Sequence, residues 1–161
     1  MRSLVVYYSL EGNTRYIAEA IKEAVGADSF ELKPEVEINP KGFMKYMEGG
    51  RQVVKKETPN LKNLDLNPDD YDVLFIGTPV WAFSYTPALR TLFAQCPIKA
   101  KKIALFCCQG GQPGKTFGNI KNAIPDNTFL GEIDFKEPLK NNKEESRQKA
   151  IDWAKKIIEH I

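Results

Sequence analysis

Leu4-Val5-Val6-Tyr7-Tyr8-Ser9-Leu10-Glu11-Gly12-Asn13-Thr14 is the stretch on which the reading of this chain turns. Its first five residues have the length and the β-branched, aromatic character of a buried strand. From Thr14 onward Ile17, Ile21, Ala24 and Val25 recur at helical spacing, with Arg15, Glu19, Lys22 and Glu23 on the opposite face. The six residues between strand and helix are rich in small contacts. Ser9, Asn13 and Thr14 carry hydroxyl or amide groups, and Gly12 lets backbone approach a ligand closely. The first N–H groups of the helix have no acceptor within it and lie at the positive end of its dipole. Such a junction is an anion site. The same residues also describe an ordinary helix capped by Ser9 or Asn13.

Outward from this stretch, apolar runs and helical patterns alternate. Ser29-Phe30-Glu31-Leu32 is short and alternating, as an edge strand should be. Tyr71 to Ile76 and Ile103 to Cys108 are continuous, the mark of strands covered on both faces. Thr128 to Phe135 is looser. Pro87 opens a helix with Leu89, Leu92 and Phe93 on one side; Phe117, Ile120 and Ala123 predict another. The last helix carries Ala150, Trp153, Ala154, Ile157, Ile158 and Ile161 as one stripe, with Glu144 and Glu145 leading and Lys155, Lys156 and His160 trailing, as its dipole prefers. Strand–helix alternation implies right-handed crossovers and a parallel sheet between two helical layers, an α/β doubly wound fold. Lys33 to Asn67 is too long for a plain loop. Within it, residues 41–52 (KGFMKYMEGGRQ) predict a helix start broken by Gly49-Gly50, followed by an extended arm to Pro68; either a cover over the sheet or a partner contact fits.

The chain's 161 residues suit one domain over 1–161, able to bury roughly two-thirds of its unfolded surface. Lys and Arg total 23 against 21 Asp and Glu, a formal +2, with no like-charge run of the kind that binds nucleic acid or a membrane. No signal peptide is expected, since the amino terminus enters a strand at once, and no segment approaches the apolar length needed to span a bilayer. Cys96, Cys107 and Cys108 are an odd, sparse set that suits reduced thiols in a cytoplasm, and their spacing gives no reason to expect a metal.

Two further loops stand where a ligand would lie. Gly77-Thr78-Pro79-Val80-Trp81-Ala82-Phe83-Ser84-Tyr85 sets three aromatic rings on a stretch stiffened by Pro79 and Pro87. Rings on a rigid loop suit a planar aromatic ligand, or they cover the end of the sheet. Gln109-Gly110-Gly111-Gln112-Pro113-Gly114-Lys115-Thr116-Phe117 brings backbone close to a ring edge, and Gln109 and Gln112 offer both donors and acceptors. Gly114-Lys115-Thr116 superficially matches a nucleotide-binding P-loop. That motif requires glycine at 109, where this chain has Gln, and the strand ending at Gly77-Thr78 has no acid to hold Mg²⁺. A low-molecular-weight tyrosine phosphatase needs Cys with Arg six residues on, and a response regulator needs paired acids at Tyr8 and Ser9; the chain has neither.

Taken together, Ser9-x-x-Gly12-Asn13-Thr14 behind a first strand near residue 1, Thr78-Pro-Val-Trp81, and the Gly-Gly-x-Pro-Gly-Lys-Thr-Phe stretch give a chain that resembles the flavodoxin family over nearly its whole length. The resemblance implies a flavodoxin-like five-stranded parallel sheet of order 2-1-3-4-5, with the ligand crevice at the carboxyl ends of strands one and three. It implies non-covalent FMN. Ser9, Leu10, Glu11, Gly12, Asn13 and Thr14 would take the phosphate. Thr78, Pro79, Val80, Trp81 and Ala82 would flank the isoalloxazine, with Trp81 as the stacking ring, and Gln109, Gly110 and Gly111 would meet the remaining ring edge. Lys115 would reach either an anionic group or solvent.

A cofactor of this kind does the redox work, so no catalytic residue is expected, in keeping with a lone histidine, His160, near the end of the chain. A ring held among Val80, Trp81 and backbone dipoles, with no dedicated cation, disfavours a negatively charged reduced flavin. The leading expectation is an FMN electron-transfer protein serving a protein redox partner or a small-molecule acceptor. Two departures from flavodoxins favour an FMN-dependent NAD(P)H oxidoreductase of the quinone, nitro or azo type. The charge is balanced rather than acidic, and no glycine follows Gly77 at the position whose peptide flips in flavodoxins upon one-electron reduction. A non-catalytic regulatory module on the same fold is the third possibility. Oligomeric state is not legible.

Overall fold

A computed structural model describes residues 1–42 and 44–161. Among the described residues, five strands alternate with five α-helices: β1 (Ser3–Tyr7), α1 (Asn13–Val25), β2 (Asp28–Glu31), α2 (Met44–Val54), β3 (Val73–Pro79), α3 (Pro87–Gln95), β4 (Lys102–Gln109), α4 (Thr116–Ala123), β5 (Thr128–Lys136) and α5 (Lys143–Glu159). The strands form one parallel sheet in the order β2-β1-β3-β4-β5. This is the flavodoxin-like architecture expected from the sequence.

Side-chain alternation assigns each strand's residues to two cores. Leu4, Val6 and Tyr8 point with Leu74, Ile76, Ile103 and Leu105 towards Leu89, Leu92 and Ile120 of α3 and α4. Val5 and Tyr7 point with Phe75, Ala104 and Phe106 towards Ile17 and Ile21 of α1 and Ala154 and Ile157 of α5. Continuous apolar runs in β1, β3 and β4 are thus explained: both faces of the sheet are covered. Gly77 has a packing role here. It pairs with Phe106 across β3 and β4, and a Cβ at 77 would stand 2.1 Å from the Phe106 ring.

The looser pattern of β5 has a cause in its pairing, since a register shift against β4 at Ile103/Ala104 sets Phe129 and Gly131 opposite consecutive residues. The predicted break at Gly49-Gly50 is corrected: α2 runs through both glycines to Val54. Tertiary packing overrides propensity here, because Gly49 is buried against Trp81 and an added Cβ would lie 3.2 Å from the indole. The expected helix start includes residue 43, which lies outside the described residues.

Candidate functional site

Because the sheet is parallel, the loops following β1, β3 and β4 emerge at the same edge, and β1 and β3 lie side by side with their connections leaving on opposite faces. An open cleft lies there, walled by the three loops. Its first wall is the β1–α1 loop, from which Ser9, Leu10, Glu11, Asn13 and Thr14 line the cleft. Gly12 lies behind them with φ 101°, a conformation open to glycine, and this lets the chain turn into α1. Ser9 Oγ accepts from the N–H groups of Gly12 and Arg15, both at 3.2 Å, so the serine caps α1 from inside the loop. Asn13 Oδ1 accepts from Leu139 N at 3.0 Å, tying the loop to the β5–α5 connection.

The second wall follows β3, where Pro79, Val80, Trp81 and Ala82 line the cleft. Thr78 does not. It is fully buried beneath the loop, and its Oγ1 accepts from Thr86 N at 3.2 Å and meets Thr86 Oγ1 at 3.1 Å. Trp81 and Ser84 exchange backbone hydrogen bonds, both 3.0 Å, across a tight turn whose central residues Ala82 and Phe83 have φ of 48° and 62°. Two positive-φ residues that are not glycine are costly in such a turn. Neighbouring contacts hold it: Lys115 N donates to Phe83 O at 2.8 Å, and Asn119 Nδ2 to Ser84 Oγ at 2.9 Å. The loop's three aromatic rings have different fates. Tyr85 is buried and edge-on to Phe93, serving the end of the sheet, while Phe83 is 63% exposed. Trp81 alone of the three faces the cleft, braced by Tyr8 at 5.5 Å between ring centroids in a T-shaped pair.

The third wall follows β4. Gln109 and Gly110 line the cleft, whereas Gly111 and Lys115 are exposed and do not. Gln109 Nε2 donates to Asp134 at 3.1 Å, yet Gln109 Oε1 is buried with no hydrogen-bond partner among the described residues. An orphaned acceptor on a ligand-facing side chain is costly unless a donor arrives. Cys108 also reaches the cleft; burial pushes its thiol up to about 12, against a lowering hydrogen bond from Thr14.

The sequence reading misses the fourth wall. Lys45, Tyr46, Gly49 and Gly50 of α2 line the cleft, as does Glu137 beyond β5. Residues 33–67 form a cover in two parts: α2 lines the cleft, and Leu61, Leu64 and Leu66 pack against the core on the α3 side of the sheet. The one sequence signal for it was the Gly49-Gly50 pair, of which Gly49 by lacking a side chain admits Trp81.

A sequence model of the family described as flavodoxin matches residues 2–157, and the chain belongs to that family. Its fold is shared by solved structures. A proposed flavoprotein from Bacteroides eggerthii is 24% identical, with 98% of each chain covered and a TM-score of 0.79. A flavoprotein from Lactobacillus acidophilus, solved in complex with FMN, is 24% identical over 83% of this chain and 92% of its own, with a TM-score of 0.69. The two-electron-reduced flavodoxin of Megasphaera elsdenii is 22% identical over 96% and 99%, with a TM-score of 0.59. No curated protein matches the chain. Among the described residues, no helix is long and apolar enough to cross a membrane.

Proposed function

We propose that this chain, acting as one domain over residues 1–161, binds FMN non-covalently in this cleft and serves as an electron-transfer flavoprotein. The observation that carries the reading is the convergence of three different chemistries on one cleft. The amino end of α1 meets an anion, Trp81 meets a planar ring, and the orphaned Gln109 Oε1 awaits an N–H such as the one on a flavin's pyrimidine edge. FMN when bound supplies the redox chemistry; the protein supplies binding, orientation and electrostatics.

The residues imply specific tasks. Ser9 surrenders or shares two backbone donors with the phosphate. Trp81 is pre-set by Tyr8 and Gly49, so little order is lost on binding. Glu137, adjoining Gln109 and Gly110 in the cleft, is paired with Lys140 at 3.0 Å, so it brings no net positive charge to steady an anionic ligand there. A cytoplasmic location and a protein or small-molecule electron acceptor belong to the same reading.

A second reading, an FMN-dependent NAD(P)H oxidoreductase, is favoured by the pinned turn at 81–84. A peptide flip there would break paired backbone hydrogen bonds that neighbouring residues reinforce. Anaerobic reductive titration of the FMN-loaded protein separates the two. Two resolved one-electron steps support the carrier. A single two-electron step, with steady NADPH oxidation on adding a quinone, supports the oxidoreductase. Failure to bind FMN at all refutes both and leaves a regulatory module.

A further inference from the structure

The cleft has an unusual charge balance for a place that receives a dianion. Among the described residues lining it, Glu11 and Glu137 are acidic and Lys45 is the one basic side chain. Glu11 sits inside the β1–α1 loop itself, where an unneutralised carboxylate would repel a phosphate. Nearby cations are otherwise engaged. Arg15 Nε donates to Glu31 of β2 at 3.2 Å, and Lys140 Nζ lies 3.0 Å from Glu137. Lys45 is different: it comes from α2, lines the cleft, is 16% exposed along its side chain, and is paired with Glu11.

We propose that Lys45 reads the phosphate, making the site selective for the phosphorylated flavin over riboflavin. An ammonium has three donors, so one can stay on Glu11 while another turns to a phosphate oxygen. Glu11 thereby stores the cation in the ligand-free chain, beside the Tyr46 ring at 4.8 Å, and the pair presents a neutral loop. The inference rests on the FMN reading above and assigns to α2 a role beyond covering the rings.

The test is a pair of fluorescence-quenching titrations, FMN and riboflavin, on wild type, Lys45→Met, Lys45→Arg and Glu11→Gln, with helix content checked by circular dichroism. Wild type should favour FMN. Lys45→Met should reduce that preference roughly ten- to hundredfold, the range for a charge-assisted hydrogen bond, while riboflavin affinity changes little. Lys45→Arg should keep most of the preference, since the charge remains. Glu11→Gln should keep or increase it. If Lys45 acts only as a tether for α2, Glu11→Gln will mimic Lys45→Met and both flavins will weaken together; that result overturns the proposal. An unchanged preference in a folded Lys45→Met overturns it as well, with FMN binding intact. Wild type binding neither flavin would instead remove the FMN reading, and this inference with it.

Discussion

Replacing Trp81 with alanine tests whether the cleft is built for a planar ring. The indole has two sets of neighbours. Tyr8 stands edge-on to it at 5.5 Å and Gly49 abuts its ring atoms, contacts present with or without a ligand. Their loss therefore lowers stability without changing affinity. What changes affinity is the part of the indole facing the cleft. A stacked ring covering on the order of 50 Å² of that surface contributes about 1 kcal/mol by area, and the ring–ring geometry adds roughly 0.5–1.5 kcal/mol. Trp81→Ala should therefore weaken FMN binding by about 1.5–2.5 kcal/mol, roughly 10- to 60-fold in Kd. Trp81→Phe, which keeps a ring, should recover more than half of that loss. Flavin fluorescence quenching measures the affinity, and a thermal melt of the ligand-free variant separates the stability effect. A Kd unchanged within error, with undiminished quenching, would refute the stacking role even if the variant melts earlier.

Three other outcomes follow from the geometry. Ser9→Ala leaves the N–H groups of Gly12 and Arg15 without their acceptor; a lost cap of this kind should lower ligand-free stability by about 1–2 kcal/mol, visible as a fall of several degrees in Tm. Gly77→Ala forces a methyl against the fully buried Phe106 ring, destabilising by about 1–3 kcal/mol in urea unfolding, and a second change, Phe106→Leu, should return part of the loss. Stability should also fall in alkali. Burial raises the Cys107 and Cys108 thiols and the Tyr7 and Tyr8 phenols in the folded state, Cys108 to about 12. Above pH ~8.5 the unfolded chain loses these protons first, so it binds fewer than the native state and unfolding becomes easier as pH rises. The contribution is complete below the unfolded pKa values and drains away up to the folded ones. Urea midpoints from pH 8 upward will show the slope in wild type and a shallower one in Cys108→Ala; parallel slopes would contradict the assignment.

What was legible in the sequence is what local pattern alone encodes. Val5, Phe75 and Ala104 could be assigned to one sheet because each lies in a run that only double coverage explains, and their neighbours in register bear this out. The loops after β1, β3 and β4 were legible because parallel topology forces them to one edge. Thr78 and Tyr85 show the limit of that logic. Both were read as part of a loop beside the cleft, yet both are buried beneath it: Thr78 belongs to β3 and points with Leu74 and Ile76 towards Thr86, and Tyr85 turns inward onto Phe93. The turn at 81–84 was hidden too, since Ala82 and Phe83 are not residues that announce positive φ.

Helix α2 was legible only as a start within residues 41–52; its run to Val54 and its place on the cleft were hidden for a deeper reason, and that reason bears on function. A helix packed on a sheet advertises itself by an apolar stripe, but α2 buries only Gly49 and Val53 while Met44, Tyr46, Met47 and Val54 stand 56–77% exposed. Its attachment to the binding loops includes a glycine laid on an indole and an ammonium paired with a carboxylate. Neither contact has a periodic signature, and a single partly exposed ion pair adds little to holding a segment. Such a segment opens locally at small free energy, independently of the sheet. A ligand that touches both α2 and the loops stabilises the closed arrangement by its differential affinity for it. Hydrogen exchange should therefore show α2 amides protected by FMN far more than those of β3 or β4, which exchange slowly in either state. Equal protection of α2 with and without FMN would mean that the cover is already closed, and that the helix contributes shape to the cleft but no coupling.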